Sequence, residues 1–314
     1  MIEEANRQFR RQQRLDKLVA ITATLFAICL LVTAGLIVYE LYVTSIPSLE
    51  AFGFKFIINT DWDPVAQKFS ALAAIYGTLA TAFVALFIAV PISFGIAFFL
   101  TELAPHSLRQ PFRILIELLA GIPSIIYGMW GLFVLAPLMS EYIQPWMIEV
   151  LGTLPIIGFL FQGAPLGISV FTAGVVLSIM IIPFIASVMR DVFEIVPDLL
   201  KESAYALGAT HWEVVWNVVL PYSKVGVAGG IILGLGRALG ETMAVAFVIG
   251  NAHDFHTSLM MPGASISSVL ANEFTEATGK LYNSSLSELG LILFGITFLV
   301  FLVSKYLMRR LVKH

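Results

Sequence analysis

VGVAGGIILGLGRALGETMAVAFVI, residues 225 to 249, reads as a membrane span with two charges inside it. At about 1.5 Å per residue, Arg237 would lie about 18 Å from the Val225 end, near the middle of a hydrocarbon layer about 30 Å thick. An arginine at that depth costs at least about 2.5 kcal/mol to insert, so a polar partner or an anionic passenger is expected beside it. Glu241 follows at i+4 and would share the arginine's face on an unbroken helix, where it could neutralise the charge. The competing reading is a structural ion pair that fixes one helix to another. Gly226, Gly230 and Gly234 recur every four residues, and Gly236 with Gly240 make a second row, so close packing on two sides is expected.

The rest of the chain agrees with a membrane setting. Of 314 residues, 58% are hydrophobic and 12% charged, about half the charge of a soluble domain. The expected fold is an all-α membrane protein with six transmembrane helices, at Leu18–Ile46, Ala71–Leu100, Ile114–Ser140, Leu166–Met189, Val225–Ile249 and Glu288–Leu307. The matching division is an N-terminal tail (1–17), a first helix with its external loop (18–70), a five-helix core (71–307) and a C-terminal tail (308–314). The uncharged run Leu18–Tyr39 is too long for the core of a signal peptide and suits a span. Residues 150–189 carry no charge, and Gly152, Pro155, Gly158, Gly163 and Pro165 cluster at their start, so an interfacial or re-entrant piece is expected before span four. Cys29, the single cysteine, lies in an apolar run and is expected to be buried and inert. A net charge of −3 gives no reason to expect nucleic acid; membrane lipid is the expected surrounding.

Basic residues set an orientation. Fourteen of the eighteen Lys and Arg fall in the N-terminal tail (Arg7, Arg10, Arg11, Arg14, Lys17), loop two (Arg109, Arg113), loop four (Arg190, Lys201, Lys224) and the C-terminal end (Lys305, Arg309, Arg310, Lys313). The alternate loops hold Lys55, Lys68 and Lys280. This bias predicts both termini in the cytoplasm, with Trp62, Trp130, Tyr142 and Trp146 suited to the outer interface.

Loop four, residues 190–224, is then cytoplasmic. Pro197-Asp198 can start a helix, Gly208 can end it, and Trp212, Val215, Trp216 and Val219 recur at helical spacing. The pattern Glu202-Ser-Ala, three residues, Gly208, nine residues, Val218-x-Leu220-Pro221 resembles the EAA loop of bacterial ABC importer permeases, with Ser203 and Val218 as mild departures. The resemblance implies a type I importer permease fold. It also implies a coupling helix that meets an ATPase, with Glu202, Ala204 and Gly208 in that contact.

Further blocks narrow it. Gly234-Leu-Gly-Arg237-Ala-Leu-Gly240-Glu241-Thr-Met-Ala-Val, Glu117-Leu-Leu-Ala-Gly-Ile-Pro123-Ser124-Ile-Ile-Tyr127-Gly-Met-Trp130, Tyr76-Gly-Thr78 to Glu102-Leu-Ala-Pro105, and Ala271-Asn272-Glu273-Phe274 are similar to the PstC-type permeases of phosphate importers. The likeness covers nearly the whole chain and implies that phosphate moves past Arg237 and Glu241. It implies four kinds of partner: a second permease of the PstA type, an ATPase dimer of the PstB type, an external phosphate-binding protein of the PstS type, and phosphate itself. Loops one, three and five would face the binding protein.

The residues supply a physical reason beside the likeness. Phosphate needs a cationic station in a dry pathway, and arginine offers a permanently charged fork of donors. Pro123 and Pro91 free helix carbonyls, which is tolerated beside a pathway or a packed neighbour, so Ser124 and Tyr127 are candidate lining residues and simple kinks are the alternative. Glu117 can snorkel to the cytoplasm.

No G-x-x-x-x-G-K-[ST] occurs, so ATP is expected to be used by partner subunits, with no cofactor or metal on this chain. His253 and His256 share a loop without clear further ligands. Other readings are a permease for another oxyanion, a secondary anion transporter that uses Glu241 as a proton carrier, and a membrane-embedded enzyme. The EAA-like loop and the missing inverted repeat weigh against the second, and the lack of a catalytic constellation against the third.

Overall fold

The computed structural model describes residues 2 to 312, with side chains from Leu15 to Arg310. The basic side chains of Arg7, Arg10, Arg11, Arg14 and Lys313 lie outside the described ones. Helices account for nearly all of the regular structure among these residues. The long ones are α1 (Ile2–Phe52), α2 (Leu72–Leu103), α4 (Ser124–Val150), α5 (Val170–Glu194), α7 (His211–Leu239) and α10 (Lys280–Val312). Among the described residues, six helices are long and apolar enough to cross a membrane. Shorter ones are α3 (His106–Ala120), α6 (Asp198–Ala206), α8 (Met243–Ala246) and α9 (Ile266–Glu273).

α5 is the axis of the bundle. Its central side chains Leu177, Ile181, Ile185 and Met189 are sealed from solvent. Small residues let α2 and α7 approach it. A Cβ on Gly174 would lie 2.6 Å from Val84 of α2. On α7, the row Gly226, Gly230 and Gly234 meets Val192, Val188 and Ile185, where added Cβ atoms would fall 2.4, 3.0 and 2.6 Å from the facing methyl groups. Gly236, from the second row, lies under the Phe301 ring of α10. The expected two-sided packing therefore holds for Gly236, whereas a Cβ on Gly240 would meet only its own preceding turn.

α1 stands on the outside and joins the rest at one end. Pro47 cannot donate a helix hydrogen bond; next to it, the Ser48 amide donates to Ser284 Oγ at 2.8 Å, and the Ser48 and Ser285 hydroxyls are 3.1 Å apart. Cys29, expected to be buried, is exposed on α1 because that helix has no neighbour along its middle.

Two expected spans are broken. The stretch Ile114–Ser140, expected as one helix, is divided between α3 and α4. Pro123 is extended at φ −57° and ψ 136°, and a new helix starts after it. The stretch Val225–Ile249 is also not one helix. α7 begins earlier, at His211, and ends at Leu239, after which Gly240 and Thr242 turn the chain into the four-residue α8. The uncharged segment after α4, expected as an interfacial or re-entrant piece, forms turns and a single 3₁₀ turn at Gly158–Phe161. It rests on the loop before α9, where the Leu259 amide donates to the Leu160 carbonyl at 2.8 Å.

Candidate functional site: two helix breaks at mid-depth

α5 is a ruler for depth. Phe184 lies fourteen residues from Val170, about 21 Å along a 25-residue helix. The Arg237 guanidinium carbon lies 6.0 Å from the centroid of the Phe184 ring, close enough for a cation–π contact. Arg237 is thus near mid-depth, as its spacing in the sequence predicted. It is also in the last turn of α7, where the free carbonyls favour a cation. Its side chain is exposed on the surface of the single chain.

Glu241 is placed differently from expectation. The helix ends between the two residues, so they do not share a face one turn apart, and no Arg237–Glu241 ion pair occurs among the described residues. Instead Glu241 Oε1 accepts from the Ala244 amide at 3.2 Å, capping the start of α8. The Glu241 carbonyl, freed by the break, accepts from Ser267 Oγ of α9 at 2.7 Å.

The second break faces the first. α8 packs on the first turns of α4, where a Cβ on Gly128 would lie 2.9 Å from Phe247 and 3.0 Å from the Ala244 Cα. Gly131 meets Val176, which is about 9 Å below Val170. Ser124, seven residues before Gly131, is therefore near mid-depth as well. It opens α4 and is half-exposed. Tyr127 is buried and donates to the Leu119 carbonyl at 2.8 Å, across the break. Its hydroxyl serves as a latch between α3 and α4. Arg237, Glu241, Ser124 and Tyr127 thus gather around two breaks at similar depth. Irregular backbone of this kind inside a membrane is tolerated where it is packed in protein or lines a cavity. Phe184 and Ser267 were missed in the sequence, since each acts through a partner more than twenty residues away.

The second group of expected residues lies on α6. Glu202 is exposed and Ala204 is half-buried against the core. Gly208 has φ +86° and open space beside it. It ends α6 in a Schellman turn: the Gly208 amide donates to the Tyr205 carbonyl at 2.9 Å and the Ala209 amide to Ala204 at 3.2 Å. Thr210 then caps α7 in a reciprocal box with Glu213. The tip presents Leu199, 72% exposed, and Leu207, 90% exposed. α6 is fixed to α2 by Lys201 and Glu102, 2.7 Å apart and both largely buried.

At the opposite end of the bundle Glu273 is a hub. It accepts from Trp62 Nε1 at 3.0 Å and from Tyr282 Oη at 2.5 Å, and its other oxygen is 2.6 Å from His253 Nε2. Trp62 stacks on the His253 ring. Burial raises the Glu273 pKa, but the bonds from His253, Tyr282 and Trp62 outweigh it and hold the carboxyl below the usual range.

Residues 89–313 match the family described as binding-protein-dependent transport system inner membrane component. The phosphate transport system permease protein PstC of Pasteurella multocida is 60% identical over 292 residues, covering 93% of this chain and 91% of that protein. Its counterpart in Haemophilus influenzae is 54% identical over 306 residues, covering 98% and 97%. Among solved structures, a bacterial ABC transporter involved in the import of the polysaccharide alginate aligns over 95% of this chain and 99% of that one, with a TM-score of 0.58 at 17% identity. An inward-facing MetNI methionine ABC transporter covers 76% and 94%, with a TM-score of 0.55 at 18% identity. At these identities the structural likeness establishes the fold, that of an ABC importer permease.

Proposed function

The chain belongs to the family of binding-protein-dependent transport system inner membrane components, and we propose that within it the chain is the PstC-type permease subunit of an ATP-driven inorganic phosphate importer. The observation that carries this reading is the 60% identity to a phosphate permease over 93% of the chain. Membership places it in the membrane as a multi-pass subunit that works with a binding protein and an ATPase. The finer assembly is a PstA-like second permease, a PstB-like ATPase dimer and a PstS-like external binding protein. The end that carries α6 faces the cytoplasm, as the distribution of Lys and Arg favours.

In this reading phosphate passes between the two permeases along the exposed face of Arg237. The guanidinium is the cationic station, placed at mid-depth by the end of α7 and backed by Phe184. With Glu241 turned away to cap α8, the arginine keeps its charge available to the passing anion. Ser124 offers a hydroxyl at the facing break, and Tyr127 holds that break in shape. Glu202, Ala204 and Gly208 carry the motion of the ATPase into the bundle through α6, and the partner ATPase supplies the energy.

The test is uptake of radiolabelled phosphate by cells that lack their own high-affinity system and express this chain with its partner subunits. Saturable, ATP-dependent uptake that excess sulfate and molybdate leave intact is the expected result. An assembled complex that takes up no phosphate, or prefers another oxyanion, would overturn the assignment.

A further inference from the structure

A cleft of about 400 Å³ opens at the coupling end, between α3 and the last turns of α5. Its lining includes His106, Arg109, Gln110, Arg113, Arg190 and Glu194. α3 is amphipathic. Leu108, Phe112, Leu115 and Leu119 are exposed along one stripe, while Arg109, Arg113 and Glu117 follow one another at intervals of four on another. A helix of this kind lies at headgroup depth with its apolar stripe among the acyl chains. The cleft is thus beside the phosphates of the leaflet as well as open to the aqueous phase.

Its donors are not used up by protein. Arg190 is 3% exposed. Its Nε and Nη2 donate to Asp191 Oδ1 at 3.0 and 2.6 Å, and Nη2 is 3.9 Å from Glu117 Oε1. Its Nη1 is sealed from solvent and has no hydrogen-bond partner among the described residues. Leaving such a donor unmet is costly. Arg113 is bonded to Glu117 at 3.1 Å. Arg109 gives its Nε to the Ala104 carbonyl at 3.0 Å, and its terminal nitrogens make no bond among the described residues. The start of α3 adds backbone donors, because Pro105 precedes it and has no side chain able to cap it. Glu117 and Asp191 are engaged with Arg113 and Arg190, which leaves Glu194 as the one acid in the lining.

We propose that this cleft binds a phosphoryl group at the coupling end, held by the terminal nitrogens of Arg109, by Gln110 and by the first turn of α3, with the buried Arg190 adding its charge from behind. A tetrahedral anion with several acceptors suits a helix N-terminus flanked by a guanidinium fork. The group is carried either by an acidic phospholipid headgroup or by free inorganic phosphate on the side of release. Its sidedness rests on the orientation proposed above; its chemistry does not.

Hydrogen exchange of residues 106–113 tests this in the complex of permeases and ATPases without the binding protein. In one arm, nanodiscs of phosphatidylcholine receive inorganic phosphate. In the other, phosphatidylglycerol replaces part of the phosphatidylcholine in phosphate-free buffer. Exchange slowed about tenfold at roughly ten times Kd is expected in at least one arm, and the arm that shows it identifies the source. Arg109→Gln should abolish the protection. Arg109→Lys, which keeps the charge but loses the fork, should retain part of it and excludes misfolding as the cause. Arg237→Gln should leave it unchanged. No protection in either arm, or protection that survives Arg109→Gln, would overturn the proposal. Because this readout needs no transport, failed phosphate uptake with the protection intact would refute the transport reading alone.

Discussion

Lys201 Nζ lies 2.7 Å from Glu102 Oε1, and the pair joins α6 to the end of α2 with both side chains withdrawn from solvent. α2 packs along α5 through Ala82, Ala85 and Ala89. In the proposed importer, a movement of α6 would therefore reach the helix that also carries Phe184, under Arg237.

Lys201→Met leaves the Glu102 carboxylate buried without its counter-charge, which costs about 3–5 kcal/mol where the charge stays. We expect the ATPase rate of the assembled complex to lose most of its stimulation by the binding protein, with less effect on the basal rate. Adding Glu102→Leu removes the stranded charge and should restore stability without restoring full stimulation. A double variant with normal stimulation would show that the pair only holds the fold.

Glycines on α7 divide by what they face. Gly234→Val drives a branched side chain into Ile185, 2.6 Å from the position of its Cβ, and overpacking of this kind costs about 1–3 kcal/mol. Gly229 faces open space in the single chain, and Gly229→Ala should raise helix stability by about 0.5–1 kcal/mol. Thermal unfolding of the purified complex in detergent checks both: a lower midpoint is expected for the first and an equal or higher one for the second. A lowered midpoint for Gly229→Ala would mean that the partner permease packs there.

Much of this arrangement was legible in the sequence. Long uncharged runs gave six crossings, the turn at Gly208 gave the end of α6, and the spacing of Gly226, Gly230 and Gly234 gave a packed face. Pro123 marked an interruption, though not that it divides the stretch into two helices; the break at Gly240 was not legible, because hydropathy averages over a window and both flanks stay apolar. One consequence was the misplacement of Glu241: an i+4 relation holds only on a continuous helix, and Gly240 with Thr242 interrupts it. The hub at Glu273 was hidden for a different reason. Its partners Trp62, His253 and Tyr282 come from three separate segments, and only packing brings them together.

That hub carries a pH dependence. The Glu273 pKa is lowered in the fold, since hydrogen bonds from His253, Tyr282 and Trp62 exceed the effect of burial. A lowered acid stabilises the native state above the ordinary carboxylate range, near pH 4.3, and that contribution is lost as pH falls through the lower folded value. Stability from this group should thus be level from pH 6 to 8 and decline below about pH 4.5. Glu273→Gln should lower the unfolding midpoint in the neutral range and flatten the acid decline. A variant with the wild-type profile would remove the hub from the stability of that end of the bundle.

The most direct test of the central claim is phosphate uptake by Arg237→Gln at matched membrane levels and with matched assembly. The arrangement at the two breaks predicts uptake at background, while the complex still forms and the binding protein still stimulates its ATPase. Uptake equal to wild type would contradict it and reduce Arg237 to a residue that caps the end of α7 against Phe184.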